Sequence, residues 1–151
     1  MPLYCLEPMP PNPANSHEES WDYVLSKIEQ YPETPYWVQW QSIVRPLISG
    51  CVHAGYSPLF RAGMSMHDII FSTVQRYGLK PNELRVTMSI TEEWAIKFRF
   101  GQGLKGIGVH EDVKIAPPEE AFVTLTRFLQ QLWMESVSEP LPEILRSKPV
   151  N

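Results

Sequence analysis

The stretch from Leu84 to Phe100 restricts the fold more than any other part of this chain. Leu84, Val86, Met88 and Ile90 alternate with Arg85, Thr87 and Ser89. After the polar Thr91-Glu92-Glu93, the alternation resumes as Trp94, Ile96, Phe98 and Phe100 against Ala95, Lys97 and Arg99. Successive side chains of a strand point to opposite faces, so the pattern describes two antiparallel strands with one apolar and one wet face. Such a sheet needs a cover for its apolar face, and the rest of the chain must supply it.

Helical spacing accounts for most of that remainder. Ser16-His17-Glu18-Glu19 has the form of a capping box and opens a stripe of Trp21, Val24, Leu25, Ile28 and Tyr31, closed by Pro32. A second helix is expected from Thr34, with Pro35 in its first turn. Its stripe is Trp37, Trp40, Val44, Leu47, Ile48 and Cys51, with Gly50 and Gly55 as candidate stops. Pro46 deletes one backbone hydrogen bond within it and predicts a kink or a split.

Ser65-Met66-His67-Asp68 is another capping-box pattern, with Asp in the fourth position. Met66, Ile69, Ile70, Val74 and Tyr77 recur at helical spacing before Gly78, which predicts a helix over 66–77. Downstream of the two strands, Gly101–Ile115 is glycine-rich and then β-like. A third strand is expected there, with Ile107, Val109, Val113 and Ile115 as its apolar positions. Leu59-Phe60-Arg61 is either a further edge strand or a loop. Pro117-Pro118 precedes a last helix, with Glu119 and Glu120 at the positive end of its dipole and Phe122, Leu125, Leu129, Leu132 and Trp133 as its stripe.

Helices, then strands, then a helix is the order of an α+β domain. The expected sheet is antiparallel, of three strands or four, with the N-terminal helices and the C-terminal helix packed on one face. Residues 1–15, with five prolines, read as a proline-rich arm; 16–137 as a single α+β domain; and 138–151 as a proline-containing C-terminal tail.

Charge and cysteine usage narrow the function classes. A net charge of −4 leaves no electrostatic footprint for nucleic acid. Arg85, Lys97 and Arg99 on the wet sheet face lack the exposed aromatics that an RNA-reading sheet needs. Cys5 and Cys51 are isolated thiols, which fits a reducing compartment. With no basic segment leading an apolar run and no stretch long enough to span a bilayer, the expectation is a cytoplasmic protein without membrane association.

The chemical motifs are thin. Gly101-Gln102-Gly103-Leu104-Lys105-Gly106 matches G-x-G-x-x-G, but it follows a hairpin strand and precedes extended chain, so it reads as a hairpin loop. His17, His53, His67 and His110 form no HxH, HxxxH or HExxH pair, and no metal or cofactor is expected. His67 and Asp68 are adjacent, so on a helix they diverge by about 100° and make no dyad. Cys51, on an apolar stripe, reads as a small buried hydrophobe.

Two candidate sites remain. Free amides at the start of the 66–77 helix, near Arg61, Ser65 and His67, suit a phosphate or carboxylate, with Lys105 bordering the pocket from the glycine loop. Tyr23, Tyr36, Val38, Phe71, Phe128 and Met134 fall off every stripe; exposed together, they form the aromatic- and Met-containing patch that marks an interface. The function expected is a non-enzymatic protein-interaction module that self-associates, most simply as a symmetric homodimer. The alternative is a small-ligand- or anion-binding protein or enzyme with its pocket at Arg61, Ser65 and His67.

Overall fold

The computed structural model describes residues 16–74, 82–102 and 111–146. The arm at 1–15, Lys105, and Ile107 and Val109 of the expected third strand lie outside these residues. The described elements run α1 (His17–Ile28), α2 (Pro35–His53), β1 (Arg61–Ser65), β2 (Asp68–Ser72), β3 (Leu84–Ile90), β4 (Ile96–Gln102), β5 (Glu111–Ala116), α3 (Pro118–Ser136) and the single turn α4 (Glu143–Arg146). The five strands form one antiparallel meander in chain order. The class is α+β as expected, with five strands.

The β3–β4 pair forms as its alternation dictates. Val86 pairs with Phe100 and Met88 with Phe98, and all four are buried on the face that the helices cover. On that face Trp21 of α1 meets Phe71 at 5.3 Å between ring centroids, and Phe128 of α3 meets Phe98 and Phe100 at 5.9 and 6.2 Å. Ser16 caps α1, its Oγ accepting from Glu19 N at 3.1 Å, and Trp21, Val24 and Ile28 carry the stripe inward. The Ser20 hydroxyl accepts from Ala62 N and the Trp21 indole donates to Phe60 O at 2.7 Å, which fixes α1 along β1. The His17 ring lies between the carbonyls of Pro58 and Val74, 3.1 Å from each.

Four expectations need correction. The helix over 66–77 is replaced, as far as the described residues run, by the β1–β2 hairpin, with Ser65 paired to Asp68 across Met66-His67. Met66, Ile69, Ile70 and Val74 satisfy a helical period, but Ala62 with Met64 and Ile69 with Phe71 each fit a strand's period of two on either side of a turn, and runs this short are ambiguous. Pairing of Ile69 with Met88 and Phe71 with Val86 resolves it, because the β3 edge offers a hydrogen-bond ladder that no local signal contains. Helix α2 is one element through Pro46, which sits on its exposed side, so the helix does not split. Gly50 is not its stop. A Cβ there would lie 3.2 Å from Phe122 Cε1, so its bareness lets α3 approach, while Gly55 at φ 94 follows the C-cap.

The third expected strand has the opposite parity. Ala116 pairs with Ile96 and is buried, whereas Val113 pairs with Arg99 and Ile115 with Lys97, leaving them 51% and 58% exposed. The face away from the helices is not uniformly wet either, since Arg61, Ser72 and Thr87 on it are buried. Beyond residue 137 the chain folds back: Leu141 and Leu145 are buried and Glu139 O accepts from the Trp133 indole at 2.9 Å.

Candidate functional site

The end of the sheet carrying the β1–β2 and β3–β4 turns gathers an aromatic cluster from four separate segments. Tyr31 comes from the α1–α2 connection, Tyr36, Trp37 and Trp40 from the first turns of α2, His67 from the β1–β2 turn and Trp94 from the β3–β4 turn. Tyr31 stacks on Trp40 at 5.0 Å between centroids and meets Trp37 edge-on at 4.6 Å. Trp37 lies 4.7 Å from His67, and Tyr36 bridges Trp37 at 4.8 Å and Trp94 at 5.1 Å. Such offset and edge-to-face pairs are the favoured ring geometries, each worth about 0.5–1.5 kcal/mol beyond area burial.

The cluster is graded from core to solvent. Trp40 is buried, Tyr31, Trp37 and Trp94 are half-buried, and Tyr36 is 51% exposed. The Tyr31 hydroxyl sits 3.3 Å from Met66 O and 3.2 Å from His67 Nδ1, so with its proton donated to the carbonyl it accepts from the imidazole. Burial pushes this phenol above its ordinary value, which keeps it a donor throughout the neutral range. Among the described residues no hydrogen bond engages the Trp37 or Trp94 indole N–H or the Tyr36 hydroxyl.

Both turns carry a residue in a conformation that favours glycine. Met66 has φ 58 at the first loop position of a two-residue hairpin, and its side chain is 83% exposed. Trp94 has φ 64 in the loop between Ile90 and Ile96. There Trp94 N donates to Thr91 O at 3.0 Å, Thr91 N to Ala95 O at 2.9 Å, and the Thr91 hydroxyl accepts from Glu93 N and Ala95 N. This is the three-residue hairpin loop whose left-handed position is normally glycine. For a side-chain-bearing residue that conformation costs about 1–2 kcal/mol, so the turn holds the Trp94 ring at an energetic cost.

The predicted site residues disperse. Arg61 opens β1 and is buried, Ser65 ends it and is exposed, and four residues of strand place them about 13 Å apart. The helix amides that motivated an anion pocket at Arg61, Ser65 and His67 do not exist in this fold, because residues 66 and 67 form a turn. Phe71 is fully buried in β2 and is not surface, and Phe128 is half-buried, packed over Phe98 and Phe100. Tyr23 is half-buried beneath Lys27, whose Nζ lies 5.5 Å from its ring centroid. Tyr36 and Met134 are exposed, but Met134 follows Trp133, which packs against Phe60 at the opposite end of β1. Of the residues singled out from sequence, only Tyr36 and His67 meet in the cluster.

Tyr31, Trp37 and Trp94 were missed as surface because their spacing assigns them to core stripes, and Met66 because it fits a helix. Two signals bear on them: the aromatic density of Tyr31-Pro32-Glu33-Thr34-Pro35-Tyr36-Trp37, and the lack of glycine between Ile90 and Ile96, where a tight hairpin needs one. Among the described residues no three His, Cys, Asp or Glu side chains come together as metal ligands, and no helix is long and apolar enough to cross a membrane. The chain matches no family model, no curated protein and no solved structure.

Proposed function

We propose that this protein is a non-enzymatic interaction module that docks another protein chain on its aromatic end. One observation carries the reading: the Trp94 ring is held half-exposed beside Tyr36 by a backbone conformation that glycine would adopt at lower cost. The strain of that position offsets the packing that the half-buried ring supplies against the core, so stability gives tryptophan little advantage over glycine there. Half-buried aromatic anchors with unengaged polar edges are what protein interfaces concentrate, because they bring large apolar area at little entropic cost. Self-association through the same surface is the homodimeric form of this reading.

The test is affinity capture from a lysate of the source cells, with wild type, Trp94→Gly and Tyr36→Ser as baits of matched circular dichroism. A specific protein retained by wild type and lost by both variants is the expected result. Capture patterns identical across the three baits would remove the assignment, and light scattering on each variant reports whether the partner is a second copy.

A further inference from the structure

We infer that the occupant of the aromatic end is a basic segment, whose Arg or Lys side chain lies against the Tyr36 and Trp94 rings. The inference rests on the interaction reading above and adds the chemistry of the partner. Its first support is the ring geometry. Tyr36 and Trp94 meet at 46° with centroids 5.1 Å apart, and Tyr36 stands perpendicular to Trp37 at 4.8 Å. Tyr36 is 51% exposed and Trp94 half-buried, and accessible π-faces attract guanidinium and ammonium groups within about 6 Å of a ring centroid.

The second support is the charge around the rings. Glu92 and Glu93 immediately precede Trp94 on its loop, and Glu33 precedes Tyr36 by three residues; all three are exposed. Among the described residues none of these carboxylates is ion-paired; the Glu29–Arg45 pair occupies the neighbouring acid of the same connection. No Lys or Arg lies in the Tyr31–Trp40 segment or the Thr91–Ala95 loop. The two segments that carry the Tyr36 and Trp94 rings thus bear only negative charge, which lowers the affinity of acidic partners and steers basic ones. A cation placed against the rings gains both interactions at once, and the indole N–H groups remain free for the segment's backbone carbonyls.

The experiment uses the full chain and two fluorescein-labelled nonapeptides, one a threefold repeat of Arg-Lys-Ser and one a threefold repeat of Glu-Asp-Ser, read by anisotropy at low ionic strength. The expected result is binding of the basic peptide alone, with Kd raised at least about tenfold by Trp94→Gly and about fivefold by Glu92→Gln/Glu93→Gln. Raising the salt to 0.5 M weakens the wild-type complex and leaves the doubly neutralised variant less affected. Tyr36→Ser, a change at a half-exposed side chain, gives the same loss as Trp94→Gly and covers the case in which that turn rearranges. Three outcomes overturn the inference: no binding of the basic peptide, equal binding by wild type and the ring variants, or binding of the acidic peptide as tight as that of the basic one. If a protein partner is nevertheless captured through Trp94, the interaction reading stands and only the basic character of its segment falls.

Discussion

The two ends of β1 are both built from aromatic rings, and they use them in opposite ways. At the Phe60 end, the Trp21 indole donates to Phe60 O, the Trp133 indole to Glu139 O, and the Tyr56 hydroxyl accepts from Gln130, while Phe60 stacks with Tyr56 and meets Trp133 edge-on. Each of these three polar edges is engaged within the chain. At the Met66 end, Tyr36, Trp37 and Trp94 form as dense a cluster, yet their polar edges face water. A structural aromatic satisfies its N–H or O–H when it goes inside, whereas a recognition surface leaves those groups for a ligand. The contrast separates core from site without reference to burial alone.

The largest effect that tests the contrast is at the packed end. Trp21→Ala removes a fully buried ring and orphans the Phe60 carbonyl, and a loss of about 3–5 kcal/mol is expected in denaturant unfolding. A loss below about 1 kcal/mol would show that this end is not the structural one. Next comes alkaline stability. Burial pushes the Cys51 thiol up to about 12, and burial also raises Tyr56 beside it. The folded state thus holds the Cys51 proton more tightly than the unfolded chain, so this contribution is complete below the unfolded value and lost as pH rises toward 12. Between about pH 9 and 10.5 the loss is on the order of 1–2 kcal/mol, and Cys51→Ala flattens that slope.

Smaller effects belong to the open end. Trp94→Gly releases the left-handed strain and gives up a half-buried ring, so its net stability change stays within about 1 kcal/mol while partner capture is abolished. A loss of several kcal/mol would make Trp94 a core residue and erase the difference between the ends. Met66→Gly is the smallest, a gain of about 0.5 kcal/mol in thermal or chemical unfolding. The strain relieved exceeds the added entropy of the unfolded chain, and the side chain removed is 83% exposed.

Much of the scaffold was legible in the letters. The alternation in Leu84–Phe100 encodes β3, β4 and their pairing, since parity alone decides which side chains share a face. The stripes of α1, α2 and α3 bury most of the residues that their spacing nominates, with Leu25, Tyr31 and Trp37 half-buried and Phe122 exposed. The site was hardly legible. Phe71, off every helical stripe, looked like surplus surface because a helix was assumed around it; in a strand it points into the core beside Trp21. Trp94 continued the alternation of β4 and so read as core, but the loop closes one residue later than that parity assumes.

Periodicity, capping and proline placement, all local properties, were enough to determine an antiparallel sheet roofed by helices, because each acts within a few residues of chain. Only the tertiary structure decided that residues 61–72 form a hairpin, since the β3 edge stabilises it from outside the segment. It also decided that Tyr31, Tyr36, Trp37, His67 and Trp94 meet. Three connections and the first turns of α2, each ordinary alone, converge at one end of the sheet, and the proximity of rings so far apart in sequence has no local physical signature.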